Sequence, residues 1–211
     1  MAPDDFQNVI TTADELRALV GTPSELVQHK AITHLDAHCT DFIGRSPLLF
    51  ISSADASGRC DVSPRGDAPG FVQVLSPQRL LIPERPGNKR LDTLRNILEH
   101  PGVGLVFLIP GLGEALRVNG TAKLVRDEAL LRRMEAQGKV PLLAITVEVE
   151  ECYLHCGKAF KRAQLWSPES WPDPATLPRA AAILSDHAST VRMTEPEVAL
   201  LLQESYTKRL Y

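Results

Sequence analysis

The chain has 211 residues, of which 44% are hydrophobic and 23% charged, with a formal net charge of −3 at pH 7. That composition is too apolar for a disordered chain and long enough to bury a core. It also lacks the basic surplus of a protein built to bind nucleic acid or an anionic membrane.

The opening segment "MAPDDFQNVI" is acidic and leads into no apolar stretch, so it does not read as a secretory signal, and a cytoplasmic protein is expected. Thr12 and Glu15 have capping-box spacing ahead of Leu16, Leu19 and Val20, and Gly21 supplies a stop. Thr22, Pro23 and Glu25 restart a helix, with Pro23 at a position where its missing N–H is not needed.

From Ser46 the pattern changes to seven short β-rich runs: "PLLFISS", "RCDVS", "GFVQVL", "RLLIP", "VGLVFLIP", "ALRVNGTAKLV" and "PLLAITVEVEECYL". Turn residues separate them, which suits a sandwich or small barrel rather than a doubly wound parallel sheet. "SADASGR" and "LSPQR" are short enough for hairpin turns. "GLGEAL" lacks the third glycine of a dinucleotide loop and lies between two strand-like runs, so it too is a hairpin connection.

Two helices interrupt the runs. "NKRLDTLRNILEHP" places Leu91, Leu94 and Leu98 on one face, with Lys89 and Arg90 expected in the first turn. "RDEALLRRMEAQG" has Asp127 as its expected cap. A basic helical turn, "GKAFKRAQLW", follows the last strand and leads to a Pro-rich bend and tail helices. The whole reads as a single domain over 1–211: N-terminal helices over 1–45, a core over 46–166, and the bend with C-terminal helices over 167–211.

The most apolar run, "GVGLVFLIPGLG", is far short of the roughly 20 residues of a membrane helix. Cys39, Cys60, Cys152 and Cys156 are expected as reduced thiols. Cys152, His155 and Cys156, with His34, His38 and Cys39, lack a second paired-cysteine knuckle, so no metal site is expected. A Walker A loop, a G-x-S-x-G elbow and an H-E-x-x-H helix are all absent from the sequence.

The cations of "RPGNKRL" then need a purpose. A helix amino terminus already carries about half a positive charge, so Lys89 and Arg90 there favour an anion, for which a phosphate is the natural choice. Pairing with Asp92 or neighbouring carboxylates is the other outlet for those charges. Arg65, held between Pro64 and Gly66 in "DVSPRGD", suits a planar or phosphorylated ligand or an exposed hairpin turn.

Taken in order over roughly residues 30 to 172, "DVSPRGD-PGFV", "IPERPGNKRLDTLRNIL-HPGVGLVFLIPG", "LRVNG-A" and "C-LHCGKAFKRAQLW" resemble the pyridoxamine 5'-phosphate oxidase-like flavoproteins. The resemblance is to a bacterial subgroup of FMN-dependent enzymes within that family. It implies a mainly β protein with flanking helices (α+β), an FMN-binding split β-barrel, and a homodimer with FMN in clefts at the subunit interface. By the same resemblance Arg65 and Lys89 hold the phosphate, with Asn88 and Arg90 beside them. Val62, Ser63 and Pro64 lie along the ribityl chain and flavin edge, and Ile82 and Pro83 back the ring. Lys158, Arg162 and Trp166 reach over the flavin from the other subunit.

The carboxy-terminal Arg and His set of the oxidase proper has no match here, so vitamin B6 oxidation is not implied. What is implied is an FMN-dependent oxidoreductase acting on an unidentified small molecule, with NAD(P)H as a possible hydride source. The rival classes are a flavin-binding or sensing module without turnover and a relative holding haem or deazaflavin.

Overall fold

The structure is a computed structural model and describes Phe6 and residues 8–211. The chain divides after Ala31 into two units.

In the first unit, α1 (Ala13–Val20) begins where the Thr12 hydroxyl accepts from the Glu15 N–H at 3.2 Å. The Glu15 carboxylate returns the bond to the N–H of Thr11 rather than of Thr12. Gly21, at φ 83°, ends the helix. In α2 (Glu25–His29) Ser24 is the N-cap, so Pro23 precedes the cap instead of occupying the first turn.

The second unit, Ile32–Tyr211, opens with α3 (Ala37–Arg45), whose Asp36 cap accepts from the Cys39 N–H at 2.8 Å. All seven expected strands form: β1 (Leu48–Ala54), β2 (Cys60–Gly66), β3 (Gln73–Ser76), β4 (Arg79–Pro83), β5 (Gly102–Leu108), β6 (Ala115–Val125) and β7 (Ala144–His155). They join in one sheet of order β2-β1-β5-β6-β7-β4-β3, and every pairing is antiparallel. With helices on its flanks, this is the open, split-barrel topology.

Alternating residues build the core from the inner face: Leu49 and Ile51 of β1, Leu105 and Phe107 of β5, Val118 of β6, and Ile145 and Val147 of β7. Cys39 and Ile43 of α3 cover part of it, and the Cys39 and Cys152 sulfurs lie 3.3 Å apart inside. All four cysteines are free thiols. The register shifts between Asn119 and Gly120, where a Cβ on Gly120 would stand 2.0 Å from the Glu148 carbonyl oxygen. Only glycine lets β6 approach β7 that closely as the pair bends.

The helix α4 (Asp92–Glu99) corrects two expectations. It starts after the cations, with Asp92 in its first turn, as the helix dipole favours. Its buried face is Thr93, Leu94, Asn96 and Ile97, while Leu98 is 73% exposed and Leu91 half exposed. Thr93 donates to Asp61 of β2 at 2.9 Å and Asn96 to Ser53 of β1 at 3.0 Å, which fixes the helix over this end of the sheet.

A smaller apolar cluster forms where α5 (Glu128–Arg132), capped by Asp127, brings Leu131 and nearby Met134 against Leu81 and Ala144. After β7 come α6 (Lys158–Arg162), α7 (Ala180–His187) and α8 (Glu195–Lys208). Among the described residues no helix is long and apolar enough to cross a membrane, and no group of three His, Cys, Asp or Glu side chains could hold a metal ion.

Candidate functional site

The end of the sheet at β2, the turn after β4 and the loop ahead of β7 enclose a cleft of about 1120 Å³. Eight residues singled out from the sequence line it: Val62, Ser63, Pro64, Arg65, Pro83, Asn88, Lys89 and Arg90. Ile82 does not, because it is fully buried in the core on the strand whose end residue, Pro83, reaches the cleft. Lys158, Arg162 and Trp166 lie away from this lining, on or just after α6. There the Trp166 indole N–H donates to the Leu112 carbonyl at 2.8 Å, and its ring meets Phe160 edge-on at 6.4 Å between centroids.

β2 is an edge strand paired only to β1, so its outer backbone groups are open along the cleft. Opposite it runs the loop from Glu84 to Leu91. Pro86 and Gly87 keep that loop from continuing β4. The Asn88 side-chain oxygen accepts from the Arg90 N–H at 3.0 Å, and Lys89 and Leu91 both adopt left-handed backbone, at φ 61° and 64°. Two non-glycine residues in that region within three positions store strain of a kind concentrated at ligand sites. Leu91 in this conformation also stops α4 from extending backwards, which is why Lys89 and Arg90 stay in the loop.

Among the described residues, five cations line the cleft against three Asp or Glu carboxylates. Arg65 pairs with Glu84, with side-chain exposures of 15% and 19%. Arg85 pairs with Asp67 at 2.7 Å, and Arg90 with Asp92 at 2.7 Å. The Arg90–Asp92 pair is the carboxylate outlet the sequence left open. Lys89 has no ion-pair partner among the described residues, and the buried Nε of Arg65 has no hydrogen-bond partner. Burial pushes the Glu84 carboxyl above its ordinary value, against the opposing pull of Arg65. Burial also acts to raise Asp67, yet bonds from the Tyr211 hydroxyl, the Ala68 amide and Arg85 outweigh it and hold that carboxyl below its ordinary value.

Several of these residues carry no local signal of their role. Glu84 and Arg85 sit within the quoted stretch, but their partners are 19 and 18 residues back. Tyr211 reaches Asp67 across 144 residues, beyond the range of any local pattern. Lys139, Val140, Pro141, Leu142 and Leu143 add the wall ahead of β7.

Several solved structures are distantly similar to the chain. HupZ from Group A Streptococcus is 20% identical, with 56% of this chain covering 92% of that one and a TM-score of 0.46. HutZ, a heme storage protein from Vibrio cholerae, is 15% identical over 58% of this chain and 94% of that one, with a TM-score of 0.42. An FMN-binding protein from Syntrophomonas wolfei subsp. wolfei is 10% identical over 54% and 86%, with a TM-score of 0.41. No curated protein matches the chain significantly. The family model for pyridoxamine 5'-phosphate oxidase matches residues 35–156, more than half of the chain, and runs from the start of α3 to the end of β7. On that match the chain belongs to the pyridoxamine 5'-phosphate oxidase-like family.

Proposed function

We propose that the chain is a flavin-binding protein that takes FMN into the cleft between β2 and the loop from Glu84 to Leu91. The observation that supports this most is the pair of cations left for a ligand there: Lys89, exposed at the cleft and without an ion pair among the described residues, and Arg65, whose buried Nε has no hydrogen-bond partner. A phosphate dianion offers acceptors to both, through charge-assisted hydrogen bonds. The open edge at Val62, Ser63 and Pro64 presents backbone groups to the rest of the ligand, and Pro83 adds an apolar surface.

A bound flavin supplies two-electron redox chemistry at its ring, and the protein's part is to bind, orient and tune it. Lys89 and Arg65 fix the phosphate end. The paired arginines keep the remaining charge of the cleft close to balance, so the ring is not drawn to them. In the same reading two copies associate, and Lys158, Arg162 and Trp166 of each reach the cleft of the other. A flavin-loaded species sedimenting as a single chain would remove that part.

Haem is the less favoured occupant. Among the described residues the cleft lining has no His, Cys or Met to serve as an axial ligand. Oxidoreductase turnover with NAD(P)H is a further step beyond FMN binding.

Titration of the protein with FMN and with riboflavin, followed by flavin fluorescence, tests the proposal. Two charge-assisted contacts should make FMN bind at least about 100-fold more tightly than riboflavin. Equal affinities would refute the phosphate assignment.

A further inference from the structure

Beyond the end of α8, Leu210 and Tyr211 pass along the cleft and form part of its wall. Tyr211 is held at three points on separate parts of the unit. Its hydroxyl donates to Asp67 just after β2 at 2.6 Å, and its ring lies under the Arg85 guanidinium at 5.8 Å. Its main-chain oxygen accepts from the Lys139 ammonium at 2.5 Å. These contacts tie the two sides of the cleft together through one residue.

A second, smaller surface depression of about 170 Å³ is lined by Gln137, Lys139, Tyr206, Leu210 and Tyr211 among others. Leu210, Tyr211 and Lys139 therefore border both spaces. Leu210 is 59% exposed, so the segment lacks the dispersion contacts that fix a core side chain. What holds it is polar, and polar contacts of this kind are individually modest and reversible. Releasing it also strands nothing, because Asp67 keeps its bonds from Arg85 and from the Ala68 amide when the hydroxyl leaves.

We propose that Leu210 and Tyr211 form a strap that gates the cleft, closed by the Tyr211 hydroxyl on Asp67 and opening toward the neighbouring depression they also border. The proposal deepens the FMN reading and rests on it. A gate differs from a fixed wall in its kinetics: loosening a gate speeds both access and release, whereas removing a wall weakens the bound state alone.

Stopped-flow measurement of FMN association and dissociation separates the two, comparing the native chain with Tyr211→Phe and Tyr211→Ala. Tyr211→Phe keeps the ring under Arg85 and loses only the hydroxyl. Both of its rate constants should rise about tenfold, the worth of one hydrogen bond to a charged group. In Tyr211→Ala both should rise further, with Kd in each variant within about threefold of the native value. A rise in the dissociation rate alone, or no change in either rate, would overturn the strap while leaving FMN binding intact. Failure of the native chain to bind FMN at all would overturn both proposals.

Discussion

Replacing Lys89 with glycine should move stability and ligand affinity in opposite directions. Lys89 sits at φ 61° and makes no ion pair among the described residues. An L-residue in left-handed backbone costs about 1–2 kcal/mol, and glycine avoids that cost while giving back about 0.5–1 kcal/mol in unfolded-chain entropy. The net expectation is a gain of about 0.5–1 kcal/mol, or roughly 2 °C in Tm for a protein of this size. The ligand loses one charge-assisted contact worth about 1.5–3 kcal/mol, so Kd for FMN should rise about 10- to 150-fold while riboflavin is unaffected. Lys89→Ala retains the strain and loses the charge, and should show the affinity loss without the gain in stability. Urea unfolding of the ligand-free protein and fluorescence titration read the two quantities separately. Lower stability in Lys89→Gly, or equal losses for FMN and riboflavin, would refute the reasoning.

Gly120→Ala should destabilise the sheet by more than about 3 kcal/mol in thermal unfolding, because the new Cβ meets backbone of β7 at 2.0 Å. Gly87→Ala, with nothing within 4 Å, is its near-neutral control, and similar behaviour of the two would contradict the close approach. A carboxyl held low in the folded state, as Asp67 is, contributes stability that is complete above its unfolded value near 3.8 and lost as pH falls through the folded value. Urea stability of the native chain should therefore drop more steeply below about pH 4 than that of Asp67→Asn, and parallel pH profiles would remove Asp67 from the account.

The strands were legible because each is a short apolar run between turn residues, and the hairpin at Pro77 and Gln78 is bounded as "LSPQR" suggests. Asp127 was legible as a cap for the same local reason: its side chain bonds the next N–H groups, at 3.0 and 3.3 Å. The start of α4 was not. Its charge pattern is local, but the left-handed turn at Lys89 and Leu91 follows from the way Thr93 and Asn96 dock on β2 and β1. Likewise Arg65 reads as a free cation in "DVSPRGD" until the fold lays Glu84 beside it. Pairing energies between distant segments decide such details, and a single stretch of sequence does not carry them.

The position of β7 has a consequence for how the chain acquires its shape. As the last strand in sequence, it sits between β6 and β4. Until residues 144–155 exist and dock, the hairpin of β3 and β4 has no place in the sheet, and β6 presents an unpaired edge 11 residues long. Joining Arg79 to Glu148 spans 69 residues, a long-range closure that is slow because its entropy is lost before the contacts form. The open edge of β6 is then the surface most exposed to wrong pairing during synthesis, and capture of β7 is the event that ends the risk.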